Sequence, residues 1–202
     1  MSRSSRLDQV LVHHCAPTLS LLKAGSLFCF CGLKENQKAF DREICRVKSQ
    51  LEPSGFKLVQ MGSPRNGYLL YVYNPALLKS DWKDAKSRNF LQLRGYDCND
   101  IEGCIDLLSQ RIQTANMQCG CAKRMRFPHE VGLFLGYPFH DVEGFVKHAG
   151  KNFIACGRWK IYANERETLQ RFKSFEFCTA KLNSIAESGA GLEEVIAAAQ
   201  AA

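Results

Sequence analysis

The residues best suited to chemistry are a few thiols and imidazoles. Cys15 follows His14 in the run His-His-Cys-Ala-Pro-Thr, and His129 and Glu130 lie within FPHEVGLFLGYPFHDVEGFVKH, Phe127 to His148. Thiolates and neutral imidazoles are ligands of zinc, iron and copper(I). His14, Cys15, His129 and Cys156 therefore make one candidate metal set, with iron or zinc as the implied cofactor and His140 and Cys178 as further donors. The same residues permit a second chemistry. A Cys15 thiolate could attack a carbonyl while His129 takes the proton and Glu130 or Asp141 orients the ring, with the backbone N–H groups of Ala16 to Thr18 holding the oxyanion. That scheme is a hydrolase or acyltransferase. A third reading needs no reaction: Tyr71, Tyr73, Tyr137, Trp159 and Tyr162 form an aromatic surface, and Arg158 and Lys160 recruit an acidic protein partner. Against it stands the plainer role of these rings as sheet and core residues. Metal or thiol redox handling in a Cys/His pocket is the leading expectation, ahead of the Cys-His hydrolase.

These groups must be positioned by regular elements. Ser5 and Asp8 have capping-box spacing before Leu7, Val10, Leu11 and His14, which predicts a first helix ending near His14. Cys15 to Thr18 then reads as a break ahead of a second short helix from Leu19 to Gly25. In that position Cys15 gains from the free N–H groups of a helix start, which stabilise a thiolate, or simply fills an elbow. Pro128 suits the first turn of a helix that Gly136 ends, and Pro138 opens another running to Gly150. His129 and Glu130 fall in the first of those turns, where an imidazolium is disfavoured, so a neutral His129 is expected, able to act as base, ligand or loop anchor.

The remaining elements follow from period and punctuation. Strands are expected at Leu27 to Cys31, Phe56 to Met61, Tyr68 to Tyr73 and Arg158 to Ala163, the middle two joined by the turn residues Ser63 to Gly67. Cys29 and Cys31 share a strand face, and core packing is the expected use of that pair. Helices are predicted at Phe40 to Leu51, Asp81 to Leu93, Asn99 to Ile112 and Asn164 to Ala186, with Gln118 to Arg126, which holds Cys119 and Cys121, as an exposed basic loop. Four strands among seven or eight helices give an α+β fold with a small, partly antiparallel four-stranded sheet. One domain over 1–191 and a helical or frayed tail over 192–202 is the expected organisation.

Composition bounds the rest. The chain has 202 residues, 46% of them hydrophobic, enough for one sizeable core. Its net charge of +7 suits an acidic partner, yet no Lys/Arg stripe marks a nucleic-acid face. No apolar run approaches the ~20 residues that span a bilayer, and no export signal precedes the ten cysteines, so reduced thiols in a cytoplasmic protein are expected. Walker, dinucleotide, nucleophile-elbow and zincin motifs are absent from the sequence. Oligomeric state is not legible.

Several blocks together carry a resemblance: His14-Cys15-Ala16-Pro17-Thr18-Leu19, Leu70-Tyr71-Val72-Tyr73, FPHEVGLFLGYP with Asp141-Val142 and Gly144-Phe145, and Trp159-Lys160-Ile161-Tyr162. The chain resembles, over most of its length, an uncharacterised domain-of-unknown-function family of small proteins common in anaerobic clostridia. The resemblance implies a cytosolic bacterial setting rich in iron, sulfur and flavin chemistry, and no particular activity. The Cys119 to Arg126 loop departs from the family pattern.

Overall fold

The computed structural model describes residues 5–31, 37–63, 67–117 and 127–201. The chain is organised by a three-stranded antiparallel sheet with a separate helical layer on each face. Strands β1 (Gly25–Phe30), β2 (Lys57–Gly62) and β3 (Tyr68–Tyr73) lie in the order β1-β3-β2, so β3 is central. In register, Leu27 and Val59 both face Tyr71. Side chains alternate across a strand, and the alternation sorts two cores.

On one face Phe28, Phe30, Leu58, Tyr68, Leu70 and Val72 pack against α1 (Arg6–Leu19), α2 (Gln37–Leu51), α8 (Glu165–Glu187) and α9 (Leu192–Gln200). On the other face Met61, Tyr71 and Tyr73, with partly buried Leu27, Val59 and Leu69, meet α3 (Pro75–Asp81), α4 (Ala85–Gln92), α5 (Ile101–Met117), α6 (Val131–Phe134) and α7 (Phe139–Lys147). A third, smaller cluster joins Trp159, Ile161, Phe172 and Phe175.

The α+β class holds, with one change in how its strands connect. The strand expected at Arg158 to Ala163 is only β5 (Lys160–Ile161), and it pairs with β4 (Ala155–Cys156) rather than joining the main sheet. Closing a hairpin over three residues costs far less chain entropy than reaching the distant sheet edge. Of the two forms expected for the C-terminal segment, helical or frayed, the helix is found: Leu192, Val195, Ile196 and Ala199 recur on one face of α9 and are buried against α1 and α8.

Two helical boundaries also differ from the periodicity. Helix α1 does not break at Cys15; it runs through Pro17 because Leu7, Leu11, Cys15 and Leu19 form one unbroken buried stripe. It ends instead in a tight turn, with Leu22 N–H donating to Pro17 O and Leu21 at φ 56, where a second helix was expected. The stretch Asp81 to Leu93 is divided, because Asp84 caps a new helix by accepting from Ser87 N–H. Among the described residues, no helix is long and apolar enough to cross a membrane. The basic loop with Cys119 and Cys121 lies outside the described residues.

Candidate binding site

The Pro-His-Glu stretch, its following elbow and the β4–β5 hairpin enclose the site. Helix α6 is only four residues long, and its carbonyl end is fixed to the second core: Tyr71 Oη donates to Phe134 O at 2.5 Å and Trp82 Nε1 to Leu133 O at 3.4 Å. These bonds satisfy groups that a short helix leaves open. Pro138 then sits extended, φ −56 and ψ 138, as the residue before α7, and Tyr137 is placed against the hairpin. Its ring stacks on Trp159 with centroids 4.3 Å apart, and Trp159 meets Phe172 edge-on at 4.4 Å.

Asp141 holds the two halves together. This carboxylate, in the first turn of α7, is 2% exposed; its Oδ2 accepts the Trp159 indole N–H at 2.8 Å and its Oδ1 the backbone N–H of Tyr162 at 2.7 Å. A buried carboxylate survives only with such donors. On the next turn Gly144 closely approaches Tyr162, since a Cβ there would come within 2.7 Å of Tyr162 Cβ and collide with its ring. Between these parts is a cleft of about 290 Å³, walled by Val131, Tyr137, Phe145 and Trp159, with His129, Cys156, Arg158 and Lys160 also lining it.

Besides the Asp141 carboxylate bonded to Trp159, the charged groups near the rings are cations. Arg158 is exposed at the cleft and 5.8 Å from the Phe175 ring centre, Arg171 stands 5.8 Å from the Trp159 ring, and Lys23 stands 5.8 Å from the Tyr137 ring. Among the described residues, none of these three lies within ion-pair distance of a carboxylate, but Arg171 donates to Gly136 O at 3.3 Å and its charge acts on Asp81. Burial pulls the Lys23 amine down to about 8, opposed in part by Cys15, with the charges of Arg158 and Arg171 adding lesser pushes in the same direction as burial. Lys160 is partly committed, its Nζ donating to Gly150 O at 2.6 Å.

The residues singled out for chemistry do not meet in one place. Cys15 is 0% exposed in the core on one face of the sheet, whereas α6, which follows His129 and Glu130, packs in the core on the other. Burial pushes the Cys15 thiol up to about 12. It is mid-helix rather than before a helix N-terminus, so the expected stabilisation of a thiolate is missing. Glu130 is committed elsewhere: its Oε1 accepts from Arg111 Nη1 at 2.9 Å and from Tyr96 Oη at 3.1 Å. His14 keeps an exposed edge while its ring stacks on Phe28 at 5.6 Å, and this partial covering, then His13, lowers its pKa. Among the described residues no three His, Cys, Asp or Glu side chains are grouped as a metal would need, which separates the proposed set His14, Cys15, His129 and Cys156.

Seven of the singled-out residues do converge on the cleft: His129, Tyr137, Asp141, Cys156, Arg158, Trp159 and Lys160 line it. Tyr162 supports it from behind. His129 lies 4.9 Å from Phe145, ring centre to ring centre. Lys23 and Arg171 had no signal in the sequence, because each is an ordinary helix-end or helix-surface cation until the fold carries it beside an aromatic ring. Residues 11–196 match the model of a family described as "Protein of unknown function (DUF3793)". No curated protein and no solved structure matches the chain.

Proposed function

The chain belongs to that family of unknown function, and from its geometry we propose that it is a binding protein for a small anionic ligand with a flat apolar body. The observation that carries this reading is the Tyr137–Trp159 ring pair at a cleft rimmed by Arg158. Small-molecule sites are concave and mostly apolar, with a few polar groups that fix orientation. Here the rings and Val131 supply the apolar wall, and Arg158 supplies a planar fork suited to carboxylate or phosphate. Lys23 and Arg171 add positive potential behind the rings. The acidic protein partner is then a variant of the same chemistry, presenting a carboxylate beside an aromatic side chain.

A metal or thiol-redox role retains one supporting feature, that His129 and Cys156 line this cleft together. Two donors fall short of the three or four that hold a protein-bound zinc. A Cys15-based hydrolase has less support, given a thiol sealed in the core.

Calorimetric titration of the full chain with aromatic carboxylates and phenyl phosphate tests the binding reading. At least one should bind, and Arg158→Ala should weaken it roughly 10- to 100-fold, the worth of a lost charge-assisted hydrogen bond. Binding unaffected by Arg158→Glu, or no binding to any anion on the panel, defeats the proposal.

A further inference from the structure

Another hollow, of about 430 Å³, lies where the end of α1, the middle of α8 and the end of α9 meet, and it shares no lining residue with the cleft. It is lined by the buried side chains of Leu182 and Ala199 and by the more exposed Leu22, Phe177 and Ala198. The run Ala197 to Ala199 on α9 leaves the space, because methyl groups are too short to fill it. Phe177 is 74% exposed and Leu22 41%. A single apolar residue on a surface needs no explanation, whereas a phenylalanine and a leucine side by side at the edge of an apolar hollow mark an interaction site.

Charge decides what covers it. Lys173 and Lys181 line the hollow one turn to either side of Phe177, both exposed, and no Asp or Glu lines it. At about 100° per residue, Arg166, Gln170, Lys173, Phe177, Lys181 and Ser184 share one stripe of α8, and Glu176 falls about 100° away on the side opposite Cys178 and the hollow. Among the described residues neither lysine is in an ion pair. A second copy docked stripe on stripe would set lysine against lysine in either direction, because the two are equally spaced from Phe177. Segments of this same chain suit it no better: in 1–4, 32–36, 64–66 and 118–126 acidic residues nowhere outnumber basic ones. A bilayer surface favours projecting apolar groups, and this site is concave.

We propose that this hollow is the docking groove for an acidic amphipathic helix of a partner protein. An apolar side chain of that helix seats between Leu22 and Phe177, and a carboxylate reaches each lysine, the helix-in-groove mode with complementary charge at the rim. Eight residues separate Lys173 from Lys181, about 12 Å along α8. The partner's carboxylates therefore fall about two turns apart, with the apolar anchor midway between them. The groove and the anion-binding cleft are separate surfaces, and neither proposal depends on the other.

The test selects a displayed library of helical peptides, random in charge and apolar pattern, on the full chain. Enriched peptides should carry a leucine or aromatic anchor with Asp or Glu a turn before and after it. Their synthetic copies should bind Phe177→Ala roughly 10- to 100-fold more weakly, as expected when a central aromatic anchor is removed. The double variant Lys173→Glu/Lys181→Glu should lose them and gain affinity for copies with Lys in place of the acids. Added salt should weaken the parent complex. Lys79→Glu, at an exposed lysine of α3 beyond the sheet, should change nothing. All of these positions are exposed, so circular dichroism should show each variant folded. No enrichment, enrichment without flanking acids, or binding that survives Phe177→Ala would overturn the proposal. So would flotation with phosphatidylcholine–phosphatidylserine vesicles, or a dimer in sedimentation, that Phe177→Ala abolishes, since either gives the groove a different occupant.

Discussion

The indole N–H of Trp159 donates to the buried carboxylate of Asp141 at 2.8 Å, tying the β4–β5 hairpin to the first turn of α7. Everything proposed for the cleft depends on that bond, because the stacked face of Trp159 is oriented by it. Asp141→Asn keeps the shape but replaces one acceptor oxygen with an N–H donor facing the donors of Trp159 or Tyr162. The expected cost is about 1–3 kcal/mol of stability. Urea unfolding should show it as a lower midpoint with an unchanged slope. A variant as stable as the parent would show that the hairpin is held by ring packing alone.

Cys15 should be chemically silent in the folded chain. It is fully buried with its thiol pushed up to about 12, whereas Cys29, Cys31, Cys45 and Cys156 are exposed. Brief alkylation at neutral pH followed by peptide mapping should label Cys29, Cys31, Cys45 and Cys156 and spare Cys15, which reacts only after denaturation. Rapid labelling of Cys15 under native conditions would revive the nucleophile reading.

Glu130 should behave as a structural anchor. Its carboxylate is buried and accepts from both Arg111 and Tyr96, so Glu130→Ala strands a guanidinium and a hydroxyl. The loss should be about 1–3 kcal/mol. In a double-mutant cycle with Arg111→Ala the two effects should be strongly non-additive, since each single change already breaks the same pair. Additive losses would mean that the pair contributes nothing as a unit.

Lys23 gives the fold a definite pH signature. Its amine is held at about 8 in the folded chain against an ordinary 10.5. Between these values the unfolded chain binds the extra proton, so this group's contribution to stability rises with pH and is at its worst below 8. Lys23→Met should therefore be stabilising at pH 7, with its advantage over the parent shrinking from pH 8 to about 10.5. The comparison must be made as a difference, because the raised Cys15 thiol lowers the stability of both proteins above pH 9. An anion seated by these cations should also bind the parent more tightly below pH 8 than above it. A flat difference curve would mean that Lys23 is solvated.

Much of the architecture was written in local pattern. The capping box of Ser5 and Asp8, the hairpin around Tyr68 to Tyr73, the Gly-Tyr-Pro elbow and the buried stripe of α8 all depend on residues within a few positions of one another. Alternation alone also put Cys29 and Cys31 on one strand face, but both are exposed, which overturns the expectation that this pair packs in the core. What the tertiary structure decided was every relationship across the sheet. It sealed Cys15 in one core while placing His129 by the other, gave Glu130 to Arg111, and carried Lys23 and Arg171 to the rings of Tyr137 and Trp159. Periodicity tells which side of an element is apolar, but not which partner covers it or where that cover ends. For that reason the exposed thiol pair and the cationic surround of the cleft became visible only when the chain was folded.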